Sequence, residues 1–238
     1  MKPLQNLVHP VLLLCFGISA TALSSCSHST SPNSGTVTWT VPSIGTMFIF
    51  KGSSSTDPPI LDTFEITATG QSIGGKSNVV RLVSRNMQDS SVGFYNLEPN
   101  GDFSLGDSGS SGLPGRMPEY TWQTFPVGDP QTISDPPVDT QDGPYHNVES
   151  SVRALVGIET LTVPAGTFSA YHAREIWKNF STRTDSLSAN SDSTVGYFDI
   201  WFVPSIGMYI KETDTTINTG HYKNFTTGEG DLIKYVPR

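Results

Sequence analysis

Over long stretches of this chain, apolar and polar residues alternate one for one. Threonines separate Val37, Trp39 and Val41, and Phe64, Ile66 and Ala68 are set apart by Glu65 and Thr67. A repeat of two is the spacing of a half-buried β-strand, because successive side chains leave opposite faces of a sheet. Similar segments are expected at 46–51, 78–84, 92–97, 151–163, 168–179, 194–203, 207–213, 220–226 and 232–236. Turn signals punctuate them at Gly74-Gly75, Pro99-Asn100-Gly101-Asp102, Pro164-Ala165-Gly166 and Pro204-Ser205-Ile206-Gly207. Connections this short pair neighbours antiparallel. No convincing 3.6-residue apolar stripe competes. The expected fold is all-β: a single strongly curved antiparallel sheet, or a half-barrel or sandwich, with a long Pro/Gly-rich loop.

That loop is expected at 106–144, which holds seven of the 17 prolines, with Asp129, Asp135, Asp139 and Asp142 among them. Proline removes ladder donors and glycine loosens the chain. The segment reads as a linker between two halves of the sheet, or else as a lid, with Trp122 and Phe125 pinning it to the body. Val41-Pro-Ser-Ile-Gly45 recurs as Val203-Pro-Ser-Ile-Gly207. Each copy reads as a proline-initiated turn whose glycine permits a positive φ before the next strand.

The N-terminus carries a different signal. Lys2 precedes an apolar stretch from Leu7 to Leu23, softened by Pro10, Gly17 and Ser19 and too short for a good membrane span. It ends in Leu23-Ser24-Ser25-Cys26, which resembles the bacterial lipobox. The resemblance implies a signal peptide at 1–25, cleavage before Cys26 and lipidation of its thiol; an ordinary signal peptide ending near a cysteine is the alternative. Residues 26–35 then form the lipidated cysteine and a polar tether, and 36–238 a single β-rich domain. Each buried acyl methylene contributes about 0.8 kcal/mol, so two or more chains hold such a protein at a membrane. Ser27 is not the aspartate that retains lipoproteins on the inner membrane in enterobacteria, so the expected location is the cell envelope, at the outer membrane. Cys15 leaves with the signal, and the folded domain has no thiol for a disulfide, redox or metal site. Without Lys2 the chain carries 13 basic against 22 acidic residues and no basic cluster, which argues against nucleic acid as a partner.

Catalytic signatures are weak. Gly106-Asp107-Ser108-Gly109 echoes the nucleophile segment of trypsin-like proteases, but only His9 and His28 precede Ser108, in signal and tether. His146, His172 and His221 lack ligand spacing, and the acid-rich stretches 129–142 and 185–192 match no calcium loop. No pair of carboxylates stands out for glycoside hydrolysis. Asp185-Ser186-Leu187, Asp192-Ser193-Thr194 and Asp214-Thr215-Thr216 resemble a permissive O-glycosylation pattern. No catalytic, cofactor or metal residue is assigned. The aromatics are more suggestive. Tyr197 and Trp201 flank Asp199 on the face opposite Phe198, Ile200 and Phe202, and Tyr171 and Trp177 share a face of the preceding strand. These four are the candidate ligand-facing residues, a thicker sandwich core being the alternative.

Two hairpins carry a family resemblance. Leu161-Thr-Val-Pro-Ala-Gly-Thr-Phe-Ser-Ala170 and Trp201-Phe-Val-Pro-Ser-Ile-Gly-Met-Tyr-Ile-Lys-Glu212 look like the paired motifs of uncharacterised bacterial envelope proteins of the DUF3108 type and of many Bacteroidota-like lipoproteins. The resemblance covers the C-terminal third and implies a strongly curved sheet akin to the LolA/LolB lipoprotein carriers. The expected function is a lipid-anchored, non-catalytic envelope protein with a binding or assembly role toward an apolar ligand or protein partner. The alternative is a structural or cell-surface interaction lipoprotein with no small ligand, and the third reading an unrecognised hydrolase.

Overall fold

A computed structural model describes residues 37–85, 90–108, 120–127, 132–183, 191–220 and 223–238. The described residues contain twelve strands and no helix: β1 (Met47–Ser54), β2 (Ile60–Ile73), β3 (Lys76–Arg85), β4 (Ser90–Leu97), β5 (Phe103–Ser108), β6 (Tyr120–Phe125), β7 (Thr132–Asp142), β8 (Tyr145–Val163), β9 (Gly166–Arg183), β10 (Ser191–Val203), β11 (Met208–Thr219) and β12 (Asn224–Val236). They form one antiparallel sheet in the order β6-β5-β4-β3-β2-β1-β12-β11-β10-β9-β8-β7. Every strand pairs with its chain neighbour except β6 and β7, the two edges. The first and last strands pair instead, Met47 opposite Val236. The sheet is nearly closed into a barrel, cut between β6 and β7.

The turns are built as their residues require. Gly74 and Gly75, at φ +56° and +79°, join β2 to β3, a pair of positive angles that matches the twist of a tight hairpin. The two Val-Pro-Ser-Ile-Gly copies end at Gly45 (φ +87°) and Gly207 (φ +65°), and they pack together: Thr40 N donates to Pro204 O at 2.9 Å. Three sequence expectations need correction. The stretch 106–144 is not one loop, since the end of β5, all of β6 and all of β7 lie within it. Pro136 and Pro137 sit in edge strand β7 where the register slips between Asp135 and Val138, the one sheet environment that spares a missing donor. Residues 224–226, the end of the segment expected at 220–226, and 232–236 belong to a single strand, β12, whose Gly228 and Gly230 hide the alternation, while Val37–Val41 is extended chain and not a strand. Phe125 is fully buried and Trp122 Nε1 donates to Gly74 O at 3.0 Å, so both aromatics anchor β6 as expected.

The core fills the half of the barrel nearest the N-terminal segment. Phe103 packs on Phe202 at 4.5 Å and on Tyr95 at 5.1 Å between ring centroids, and Phe125 on Phe202 at 5.5 Å. Trp39 closes that end over Phe103 and Phe202, its Nε1 donating to Gly101 O at 2.8 Å. The β8–β9 hairpin arches past β10 and β11 to reach β12, where Ala165 N donates to Leu232 O at 3.2 Å. By register, Leu161 and Phe168 lie on the sheet face that carries His172 and Trp201, and all three apolar side chains pack against the buried core.

Candidate functional site

Strands β8 to β12 outrun the core, and along this projecting half the two faces of the sheet exchange polarity. The inner face is the one that carries Phe198, Ile200 and Phe202. Ladder pairing puts Arg153, Glu175, Phe198, Asp214 and Gly228 in one inner row. The next row outward is Ser151, Trp177, Gly196, Thr216 and Thr226, and the next Glu149, Asn179, Thr194, Asn218 and Asn224. Beyond the last phenylalanine the inner face is therefore almost wholly polar. The outer face answers with Val152, Ile176 and Tyr197 beside Thr215 and Thr227 in one row, and with Val195, Ile217 and Phe225 beside Ser150 and Lys178 in the next. Val152, Phe180 and Phe225 are 41%, 46% and 40% exposed.

The inner rows form a trough that deepens toward the core. Glu149 and Asn224 at the mouth are exposed, Asn179 and Asn218 half-buried, Thr216 and Thr226 buried, and Arg153 and Glu175 buried at the base. Arg153 pairs with Asp135, which also accepts from Ser151 Oγ at 2.7 Å, and Gln123 of β6 donates to Glu175 across the interior. Burial pushes the Glu175 carboxyl above its usual range, against the pull of Arg153 and of its hydrogen bonds. Asn179 Nδ2 donates to Glu149 at 3.0 Å. Four buried atoms on these rows have no hydrogen-bond partner: Arg153 Nε, Asn179 Oδ1, Thr216 Oγ1 and Asn218 Oδ1. The Trp177 indole lies against Gly196, where a Cβ would overlap it.

Nearer the core, β11 turns Tyr209, Glu212 and Asp214 inward, and the glycines of β12 make room for them. Glu212 lies over Gly230. Phe50, Gly52, Asp62, Phe64, Tyr209 and Glu212 help line a cavity of about 20 Å³, room for about one water. Burial first, then repulsion from Asp214 and Asp62, pushes the Glu212 carboxyl up to about 8, so it keeps its proton at neutral pH. Asp62 is raised by burial, partly offset by its bond from Ser84 Oγ at 2.6 Å. The cavity admits neither an acyl chain nor a sugar ring. Among the described residues no group of three or more His, Asp or Glu side chains is arranged to hold a metal.

A third cluster lies on the outer face. His172 stacks on Trp201 at 4.4 Å, meets Asp199 Oδ1 at 2.5 Å and lies 3.3 Å from Glu159, which also accepts from Trp201 Nε1. Arg174 donates to both Asp199 oxygens at 2.7 and 3.1 Å. Burial pushes the Asp199 carboxyl up, but the bonds and charges of His172 and Arg174 more than offset it and hold it below its ordinary value. These contacts tie β8, β9 and β10 together across the outer face.

The four aromatics picked from the sequence do not form one surface. Tyr171 and Trp177 belong to the inner face, Tyr197 and Trp201 to the outer. Trp201 is engaged by His172 and Glu159; Trp177 stands in the polar trough. Cys26 lies outside the described residues, as do Gly109, His221 and the Asp185 tripeptide. Alternation alone missed Arg153, Glu175, Asn179 and Asn218, because a polar residue reads as solvent-facing whichever way it points.

No family model matches the chain and no curated protein matches it, so the family resemblance rests on the two hairpin motifs. Two solved structures are similar. One is a candidate lipoprotein from Parabacteroides distasonis, 15% identical with a TM-score of 0.48, covering 84% of this chain and 99% of the other. The second is a candidate exported protein with a YmcC-like fold from Bacteroides fragilis, 13% identical with a TM-score of 0.42 over the same shares.

Proposed function

We propose that this chain is a lipid-anchored, non-catalytic binding protein of the bacterial envelope, held at the outer membrane through Cys26, which presents the polar trough of β8–β12 to a ligand. The observation that carries the reading is the exchange of polarity along these strands. A filled apolar half serves as a rigid stand, and the projecting half turns its polar rows inward, where a sheet built only to pack would place apolar ones. The filled core speaks against an acyl-chain carrier. The test is native mass spectrometry of the full chain purified from a bacterial host. The expected protein begins at an acylated Cys26 and carries no second lipid that leaves on denaturation. A releasable stoichiometric lipid would refute the polar-ligand reading, and an unmodified N-terminal cysteine would refute the anchor.

The exposed outer rows favour a second reading, contact with an envelope protein through Val152, Phe180 and Phe225. If that face is an interface, Phe180→Lys abolishes in-cell cross-links to the partner while leaving the urea midpoint unchanged.

A further inference from the structure

We propose that the ligand of the β8–β12 trough is a saccharide chain, neutral or amino-bearing; this rests on the binding role given above and names its chemistry. The first ground is the kind of bond the trough offers. Asn179 Oδ1 and Asn218 Oδ1 are acceptors and Thr216 Oγ1 can donate or accept, and none has a hydrogen-bond partner although each is buried; Arg153 Nε, a donor likewise without a hydrogen bond, lies 4.0 Å from Glu175 Oε1. A buried polar atom without a partner costs about 1–3 kcal/mol, so four on adjacent rows mark a surface made to be met by another polar molecule. Hydroxyl groups serve donors and acceptors alike and can take over the bonds of ordered water. Thr216 is 2% exposed and Arg153 3%, so they lie at the floor of the trough beneath the half-buried Asn179 and Asn218.

The second ground is spacing. Asn179 and Asn218 face inward two strands apart, about 10 Å at the usual strand separation, and Thr216 lies one row deeper. A ligand that satisfies them must carry hydroxyls along an extended body, as a chain of pyranose rings does. The third ground is Trp177. Its indole fills the space a Cβ on Gly196 would take and stands in the row next to Asn179 and Asn218, the pairing of aromatic and polar groups needed by a sugar ring with an apolar C–H face and a polar rim. Charge narrows the class further. Glu149 at the mouth and Asp214 at the base are acidic, so a polyanionic glycan is repelled and an amino sugar is not.

The full chain, in a detergent without a sugar headgroup, is titrated by calorimetry with three hexamers: N-acetylglucosamine, glucosamine and galacturonate. The neutral or the cationic hexamer is expected to bind with a micromolar to millimolar Kd, and galacturonate at least tenfold more weakly. Asn218→Ala is expected to weaken binding about tenfold with an unchanged urea midpoint, and Trp177→Ala to abolish it. If Trp177→Ala does not fold, Asn179→Ala takes its place. Sedimentation with insoluble cell-wall glycan separates two sources of such a chain: capture points to the wall, hexamer binding without capture to a soluble oligosaccharide. The proposal is overturned if neither uncharged nor cationic hexamer binds at millimolar concentration, if galacturonate binds best, or if binding survives in every folded variant. A non-saccharide polar ligand co-purifying with the chain and displaced by Asn218→Ala would overturn the saccharide while leaving the binding role standing.

Discussion

Replacing Glu212 by glutamine should make the protein more stable at alkaline pH and leave it nearly unchanged in mild acid. The ordinary glutamate value is 4.5, and in the fold it is pushed up to about 8. Below 4.5 the carboxyl is protonated folded or unfolded, and stability does not depend on it. Between 4.5 and about 8 the folded protein keeps a proton that the unfolded chain has lost, so stability falls as pH rises, by about 1.4 kcal/mol per pH unit. Above 8 the full penalty is present, roughly 5 kcal/mol if nothing relaxes. Water entering beside Asp62 and Gly230 would lower it, so the E212Q advantage at pH 9 over pH 5 is set at about 2–5 kcal/mol. Glutamine keeps the shape over Gly230 and removes the charge facing Asp62 and Asp214. Asp62 and Glu175 are also raised and lose stability in the same direction, but they are common to both proteins and largely cancel in the comparison. The assay is urea unfolding of both at pH 5, 7 and 9. Parallel pH profiles, differing by less than about 0.5 kcal/mol at pH 9, would refute the burial of an ionisable Glu212 beside two carboxylates.

Three further outcomes follow from named contacts. Gly196→Ala displaces the Trp177 indole and should cost about 1–3 kcal/mol, read as a lowered urea midpoint with altered near-UV dichroism. Asp199→Asn leaves His172 and Arg174 without their shared carboxylate and should destabilise by about 1–3 kcal/mol at pH 7; because Asp199 is held below its ordinary 3.8, the difference is present above that value and vanishes as pH falls through the depressed one. Phe202→Ala empties a position packed on Phe103, Phe125 and Trp39 and should cost about 3–5 kcal/mol in thermal or urea unfolding.

Much of the architecture was legible because its strands alternate and its turns carry glycine and proline. The all-β class, the short hairpins, the positive φ of Gly45 and Gly207 and the anchoring of Trp122 and Phe125 all follow from local chemistry. What local chemistry hides is the role of a breaker at an edge. Pro136 and Pro137 read as loop because a central strand cannot hold them, yet β7 has only one neighbour and loses little by their missing donors. Twelve strands closed by β1 on β12 could not be read either, since pairing between the ends of a chain leaves no mark in either segment.

The polar trough was hidden for a subtler reason. Alternation tells which residues share a face and is silent on which face lies inside. In β10 the outer side carries Val195, Tyr197 and Trp201 and the inner side Phe198, Ile200 and Phe202, so the inner apolar set begins only at Phe198, next to Tyr197. No bulge lies there, as the ladder to β11 stays in register from Ser193 to Trp201. With the backbone phase unbroken, it is the inner face itself that changes from polar to apolar at that point. Below it the inner face is packed with Phe198, Ile200 and Phe202 around Glu212; above it the same face is polar and the outer one mixes apolar residues with Thr215, Thr227, Ser150 and Lys178. The dipeptide Tyr197-Phe198 is therefore the sequence trace of a sheet that changes character along its length: one half packs the core, and the other turns Trp177, Asn179 and Asn218 inward, on the rows of the proposed ligand site.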